Sequence, residues 1–186
     1  MRFESHSNLA GTHAVFGASN YHWVNYDEDK FDRVYFTNQE ARRGTELHAL
    51  AKDLIRLGVR LPEVEKTLNQ YVNDAIGFRM TPEQILYYSP YFYGTADAIS
   101  FRRNLLRVHD LKTGITPGAM TQLEIYAALF CLEYKMRPTE IEIEVRIYQN
   151  DSIEVHVPEA DQIFHIMDRI ITFDKRLTYL RMEDSA

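Results

Sequence analysis

The spacing of apolar residues changes near the middle of the chain, and this change constrains the fold more than any other feature of the sequence. Residues 84–114 are rich in aromatic and β-branched residues at strand-like spacing, whereas the segments on either side favour helices. The predicted order is three strands, a helix, two strands and a last helix: QILYYS, FYGTADAISF and LLRVHDLKTG, then AMTQLEIYAALFCLEYKM, then EIEIEVRIY and SIEVHV, then residues 159–180. Helices before, between and after the strands predict an α/β protein with one sheet flanked by helices.

Two helices are predicted ahead of the strands. Residues 37–40, Thr-Asn-Gln-Glu, match a capping box and predict a helix start there. The twenty residues that follow would form an amphipathic helix with an apolar stripe of Leu47, Leu50, Leu54 and Leu57. Pro62 suits the first turn of a second helix, over residues 62–76. The first 35 residues mix glycines, aromatic residues and acids, and they give no clear assignment.

The composition limits the class of protein. With 186 residues, 45% of them hydrophobic and 26% charged, the chain is most simply one globular domain. No apolar run approaches the ~18 residues that span a bilayer, and no signal peptide is visible, so we expect a cytoplasmic protein without membrane contact. Cys131 is the only cysteine, which excludes a disulfide framework. The net charge of -6 argues against a protein that coats nucleic acid, but not against an enzyme that binds DNA along a local basic strip.

The segment HDLKTG, residues 109–114, places an acid and a lysine two residues apart just before a turn. Side chains at i and i+2 of a strand share a face, so Asp110 and Lys112 are expected side by side. Asp97 lies six residues before Arg103 in the predicted hairpin turn and Asp110 seven after it, so their carboxylates should be nearly opposite on adjacent strands. Two such carboxylates repel unless a cation lies between them, and Mg²⁺ and Mn²⁺ prefer oxygen ligands. The pattern predicts a divalent-metal site in which Lys112 assists a nucleophile or stabilises charge on a phosphate.

Two helices could supply further contacts to this site. Gly44 and His48 share a helical face, where the glycine would allow close approach to the sheet and the imidazole would add a nitrogen ligand. Gln122 and Tyr126 share a face of the later helix and suit contacts to phosphate or sugar. Five arginines are candidates for the local basic strip: Arg42, Arg43, Arg102, Arg103 and Arg107.

In this order, the motifs GTELH, GTAD, DLKTG and QLEIY resemble those of the PD-(D/E)XK nuclease superfamily. The resemblance extends over residues 38–180 and is closest to RecB-type nuclease domains and to the CRISPR-associated and phage exonucleases akin to them. It implies a restriction-endonuclease-like αβββαβ core with a central mixed sheet, and metal-dependent phosphodiester hydrolysis that leaves 5′-phosphates. The implied metal ligands are His48, Asp97, Asp110 and the carbonyl of Leu111; the implied catalytic residues are Asp97, Asp110 and Lys112; and the implied DNA contacts are Gln122 and Tyr126, to which we add Arg102 and Arg103.

The sequence departs from the family in two respects. Many relatives bind an iron–sulfur cluster through four cysteines, and Cys131 alone cannot form one. The helicase part of RecB-type enzymes is also absent. We therefore expect a stand-alone nuclease domain of phage or bacterial origin, with residues 1–36 as an N-terminal extension and residues 37–186 as the nuclease core.

These features predict a Mg²⁺- or Mn²⁺-dependent DNA nuclease without an iron–sulfur cluster. An exonuclease is favoured, acting in recombination, repair or phage DNA processing, with DNA and a recombination or replication protein as partners. Two alternatives stay open: a catalytically silent module that binds a DNA end or a protein, and a structure-selective endonuclease. Each motif also has a structural interpretation, in which Asp110 and Lys112 form a surface ion pair, His48 lies at the core edge, and Gln122 and Tyr126 are ordinary helix residues.

Overall fold

The computed structural model describes residue 7 and residues 11–184, with side chains as far as residue 181. The chain divides into two compact units at Arg43/Gly44. The first unit contains a 3-10 helix, Ala18–Asn25, and the beginning of helix α1, Glu28–Leu57. The backbone N–H of Lys30 donates to the Asp27 carboxylate over 2.8 Å, as expected at a helix start. Residues 37–40 therefore lie inside α1, and the predicted helix start there was wrong.

A five-stranded sheet forms the centre of the second unit. Its strands are β1 (Thr81–Ser89), β2 (Phe92–Arg102), β3 (Leu105–Leu111), β4 (Glu142–Gln149) and β5 (Ser152–His156). They lie side by side in chain order, with β3 and β4 parallel and the other neighbouring pairs antiparallel. The predicted α/β class, a central mixed sheet flanked by helices, is confirmed.

Three further helices complete the second unit: α2 (Thr67–Gly77), α3 (Met120–Glu133) and α4 (Ala160–Asp184). Helix α3 makes the crossover that a parallel pair such as β3 and β4 requires. It is apolar on most of its circumference because it lies between the sheet and α4. Within the part of the chain that the structure describes, no helix combines the length and the apolar character needed to cross a bilayer.

The start of α2 differs from the prediction. Pro62 precedes the helix by five residues, so the predicted start at Pro62 was wrong. Helix α2 begins at Thr67, whose backbone N–H donates to the carboxylate of Asp151 over 2.9 Å. Asp151 belongs to the turn between β4 and β5 and also pairs with Lys66 at 2.7 Å. A capping residue more than eighty positions away leaves no local signal in the sequence.

The core of the second unit has two parts, one on each side of the sheet. Between the sheet, α3 and α4 lie the apolar residues of the larger part, including Leu106, Val108, Leu123 and Ile163. The smaller part lies between the sheet, α2 and residues 44–57 of α1. In that segment of α1 the buried residues are Gly44, Ala51 and Ile55, whereas Leu50 and Leu57 are exposed. The predicted leucine stripe was therefore wrong at Leu50 and Leu57, whereas Leu54 packs against this part of the core as predicted.

Candidate functional site

The two aspartates of the predicted site lie on paired strands. The β2–β3 register pairs Ala98 with His109, so the next position along places Asp97 opposite Asp110. The Asp97 carboxylate accepts a hydrogen bond of 2.9 Å from the backbone N–H of Leu111, directly after Asp110. Burial and then the neighbouring charge of Asp97 raise the pKa of Asp110 above its ordinary value. The predicted proximity of the two carboxylates is thus present in the structure.

Lys112 lies directly beside the Asp110 carboxylate. Its Nζ donates to Oδ1 of Asp110 over 3.1 Å and lies 3.0 Å from Oδ2. The Asp110 side chain is only 4% exposed, whereas that of Lys112 is 28% exposed, so solvent reaches the ammonium side of the pair. The Oδ2 atom is buried and has no well-aligned donor among the residues that the structure describes. A buried carboxylate oxygen with spare accepting capacity is suited to a cation or to a protonated ligand.

Gln122 and Tyr126 extend this chain of contacts along α3. Lys112 Nζ donates to Gln122 Oε1 over 3.0 Å, and Gln122 Nε2 donates to the Tyr126 hydroxyl over 3.2 Å. The Tyr126 ring lies against Gly94 of β2, where a Cβ atom would be 2.8 Å from Cε1 of the ring. Gln122 therefore orients Lys112, and the tyrosine ring is fixed by its fit against a strand without a side chain at that point.

His48 reaches the aspartates from α1. Its Nδ1 lies 3.4 Å from Oδ2 of Asp97, and this carboxylate contact raises the pKa of the imidazole. A Cβ atom at Gly44 would lie 2.7 Å from the Thr113 hydroxyl, so the glycine allows α1 to approach the segment after β3. The close approach predicted from the Gly44 and His48 spacing is confirmed.

Glu83 is a site residue that the sequence analysis missed. One oxygen or nitrogen atom from each of His48, Glu83 and Asp97 lies within 4.8 Å of the other two. The predicted first strand began at residue 84, one residue too late to include this acid. The sequence did contain a signal for this residue. Glu83 and Asp97 lie seven residues before and after Pro90, at the tip of the β1–β2 hairpin, and this symmetry places the two acids opposite each other.

The residues of this cluster fit a divalent cation. Carboxylate oxygens and an imidazole nitrogen are ligands that Mg²⁺ and Mn²⁺ accept. Next to this cluster, burial and then the charge of Asp97 raise the pKa of Asp110, and its buried Oδ2 has no hydrogen-bond partner among the described residues. The predicted ligands His48 and Asp97 belong to this cluster, and metal binding by Asp110 stays a prediction.

Three other predicted site residues have different placements. Leu111 has a buried side chain, and its backbone N–H binds Asp97, while a metal contact by its carbonyl stays a prediction. Arg102 ends β2 and Arg103 lies in the turn that follows. Arg102 is five positions after Asp97, about 17 Å along an extended chain. The structure does not bring these arginines to the acidic cluster, so contact with a DNA segment away from the scissile bond stays a prediction for them.

Comparisons of the chain with protein-family models, with curated proteins and with solved structures found no match. The resemblance to PD-(D/E)XK nucleases therefore depends on the four motifs and on the positions of their residues.

Proposed function

We propose that this protein is a divalent-metal-dependent DNA nuclease of the PD-(D/E)XK type, with exonuclease activity favoured by the motif resemblance. The observation that carries the proposal is the placement of Lys112 Nζ at 3.0 to 3.1 Å from the Asp110 carboxylate, with Asp97 and His48 beside it. An ammonium group, carboxylates and an imidazole in one partly exposed cluster are the groups that metal-assisted hydrolysis of a phosphodiester needs.

The proposed reaction is hydrolysis of a phosphodiester bond. Water adds to phosphorus, the bond from phosphorus to the 3′ oxygen breaks with its electron pair going to that oxygen, and a 5′-phosphate remains. The water loses one proton, and the departing 3′ oxygen gains one to become a hydroxyl group. A bound Mg²⁺ or Mn²⁺ would supply a Lewis acid that offsets the charge developing on the phosphate.

Lys112 has a defined part in this reaction. Two of its three N–H groups are directed to Asp110 and Gln122, which leaves the third for a substrate phosphate oxygen. Because its two protein contacts hold it in place, the ammonium loses little side-chain freedom when substrate binds. Asp110 and Gln122 therefore orient the Lys112 ammonium group, and the Tyr126 hydroxyl supports Gln122.

Cleavage of end-labelled linear DNA, single-stranded and duplex, tests the proposal in the presence of Mn²⁺. We expect Lys112→Ala to lower the rate by at least ~100-fold, the usual effect of removing a preorganised donor to transition-state charge. Lys175→Ala, which removes an exposed lysine on α4, is the matched control and should cleave like the wild type. Equal rates for Lys112→Ala and the wild type would refute the role of Lys112.

A closed circular substrate separates the alternatives. Digestion of linear DNA but not of the circle supports an exonuclease, whereas nicking of the circle indicates an endonuclease. If the wild type cleaves none of these substrates with Mn²⁺ or Mg²⁺, the nuclease proposal fails and a binding module is the better explanation.

A further inference from the structure

Three carboxylates lie at one level of the sheet on three neighbouring strands. The β1–β2 register, which holds on both sides of Glu83, places this residue opposite Asp97. The β2–β3 register in turn places Asp97 opposite Asp110. Like charges at facing positions of a sheet are destabilising, and the penalty grows as the groups become buried. Such a row needs compensating positive charge.

The protein compensates only part of this charge. Lys112 pairs with Asp110, and His48 contacts Asp97. Glu83 has no ion-pair partner among the side chains described as far as residue 181. With a neutral imidazole, three carboxylates and one ammonium leave two negative charges, which is the charge that one divalent cation neutralises.

The positions of the acids show which of them can share one cation. Atoms of His48, Glu83 and Asp97 all lie within 4.8 Å of one another, so a point between them is at most about 2.8 Å from each. Mg²⁺ contacts oxygen at about 2.1 Å, so a movement of less than about 1 Å by each ligand atom would bring it to bonding distance. Asp110 does not belong to this group, and both of its oxygens lie near Lys112 Nζ instead, at 3.1 and 3.0 Å.

The backbone of Glu83 is unusual for a strand residue. Its φ is +54°, a left-handed value that is uncommon for any residue except glycine. Glu83 also drops out of the ladder between β1 and β2, while both of its neighbours remain paired. Strained backbone of this kind persists mainly where a side chain is needed in a particular place.

From these contacts we infer that Glu83 is a further metal ligand, beside His48 and Asp97. The inference rests on the proposed function, since it concerns the metal of the same site. It adds Glu83 to the ligand set that the family resemblance implies, in which this residue has no part.

Calorimetric titration of the metal-free full-length protein with Mn²⁺ tests this assignment. We expect Glu83→Gln to weaken Mn²⁺ binding by at least ~10-fold, since even residues that only support a metal ligand cost that much when removed. Because residue 83 keeps its place in the sheet in this variant, the unfolding temperature of the metal-free protein should not fall with the Mn²⁺ affinity. Glu154→Gln is the matched control, because it makes the same change at an exposed position on the opposite edge strand, β5.

An equal loss of Mn²⁺ affinity in Glu154→Gln and in Glu83→Gln would overturn the inference, because it would reflect the loss of any negative charge. Should Glu83→Gln unfold, Glu83→Gly is the second variant, because glycine accepts the positive φ and should raise the unfolding temperature of the metal-free protein. A wild type that takes up no Mn²⁺ refutes the metal-dependent function itself. Normal uptake by the wild type with undiminished uptake by Glu83→Gln refutes only the role of Glu83.

Discussion

Mild acid should destabilise this fold through one buried imidazole, that of His109. The side chain is fully buried, and its Nδ1 lies 3.2 Å from the hydroxyl oxygen of Tyr148. Because that hydroxyl donates to the Asp74 carboxylate over 2.6 Å, the hydrogen-bond network assigns a proton to Nδ1 and none to Nε2. Nε2 is buried and has no partner within residues 11–181. Burial, then the charges of Arg146 and Arg107, lower the pKa of His109 to about 3.

The size of the effect follows from this pKa. In the unfolded chain His109 takes up a proton near pH 6.5, whereas in the folded protein it does so only near pH 3. Between these values the unfolded state binds one more proton than the folded state, so stability falls as the pH falls. At 1.36 kcal/mol per unit, the free energy of unfolding should lose about 2 kcal/mol from this residue by pH 5. Between pH 7 and 5 the raised pKa of His48 acts in the opposite direction, and below pH 5 the carboxylates also titrate, so the contribution of His109 is measured as a difference from a variant that lacks it.

Urea unfolding of the metal-free protein at pH 7, 6 and 5 measures this contribution. His109→Asn keeps a donor near Nδ1 but cannot ionise, so the stability difference between the wild type and this variant should shrink by about 2 kcal/mol from pH 7 to pH 5. His165→Asn, at an exposed position on α4, should retain the pH dependence of the wild type. Parallel pH profiles for the wild type and His109→Asn would show that His109 is not held neutral by the fold.

Three further predictions concern packing. Gly94→Ala should destabilise the protein by about 1–3 kcal/mol, because the new Cβ would lie 2.8 Å from the Tyr126 ring. Urea unfolding in a Tyr126→Ala background should show most of this cost removed, and an unchanged cost would contradict the contact. Gly44→Ala should destabilise the wild type, because the new Cβ would lie 2.7 Å from the Thr113 hydroxyl. In a Thr113→Ala background, where this clash is gone, the same change should stabilise by up to about 1 kcal/mol because alanine favours helix. A change in unfolding free energy of the same sign in both backgrounds would contradict this. Burial raises the pKa of Cys131 to about 11, so a thiol reagent at pH 8 should label the unfolded chain but not the native protein, and rapid native labelling would contradict the burial.

The part of the site on β2 and β3 was predictable because a short hairpin turn fixes strand register. Once Arg103 was placed in the turn, counting outward put Asp97 and Asp110 opposite each other, and the period of a strand put Lys112 beside Asp110. The observed register agrees with this count. Local pattern and turn length were therefore sufficient for the β2–β3 hairpin.

Glu83 and the start of α2 were not predictable in the same way. Pro82 and Glu83 match a helix start as well as a strand, and the positive φ of Glu83 interrupts the alternation that marks a strand. The start of α2 depends on Asp151, whose position relative to Thr67 exists only after β4 and β5 have paired. A tertiary contact thus explains the missed start of α2, whereas the interrupted strand pattern explains why Glu83, in the candidate metal site, was missed.

The β2–β3 turn fixes the strand register that places Asp97 opposite Asp110, although the turn itself lies far from these residues. Arg103 and Asn104 both have positive φ, at 49° and 65°, which is the conformation of a two-residue hairpin turn whose twist matches the strands. Asn104 also anchors the turn to the beginning of β4, because its carbonyl accepts from the Glu142 N–H over 2.9 Å and its side-chain amide donates to the Glu140 carbonyl. A slip of one residue at this turn would move every side chain of one strand to the other face of the sheet. The two aspartates would then point apart, so the turn determines whether the acidic cluster can form.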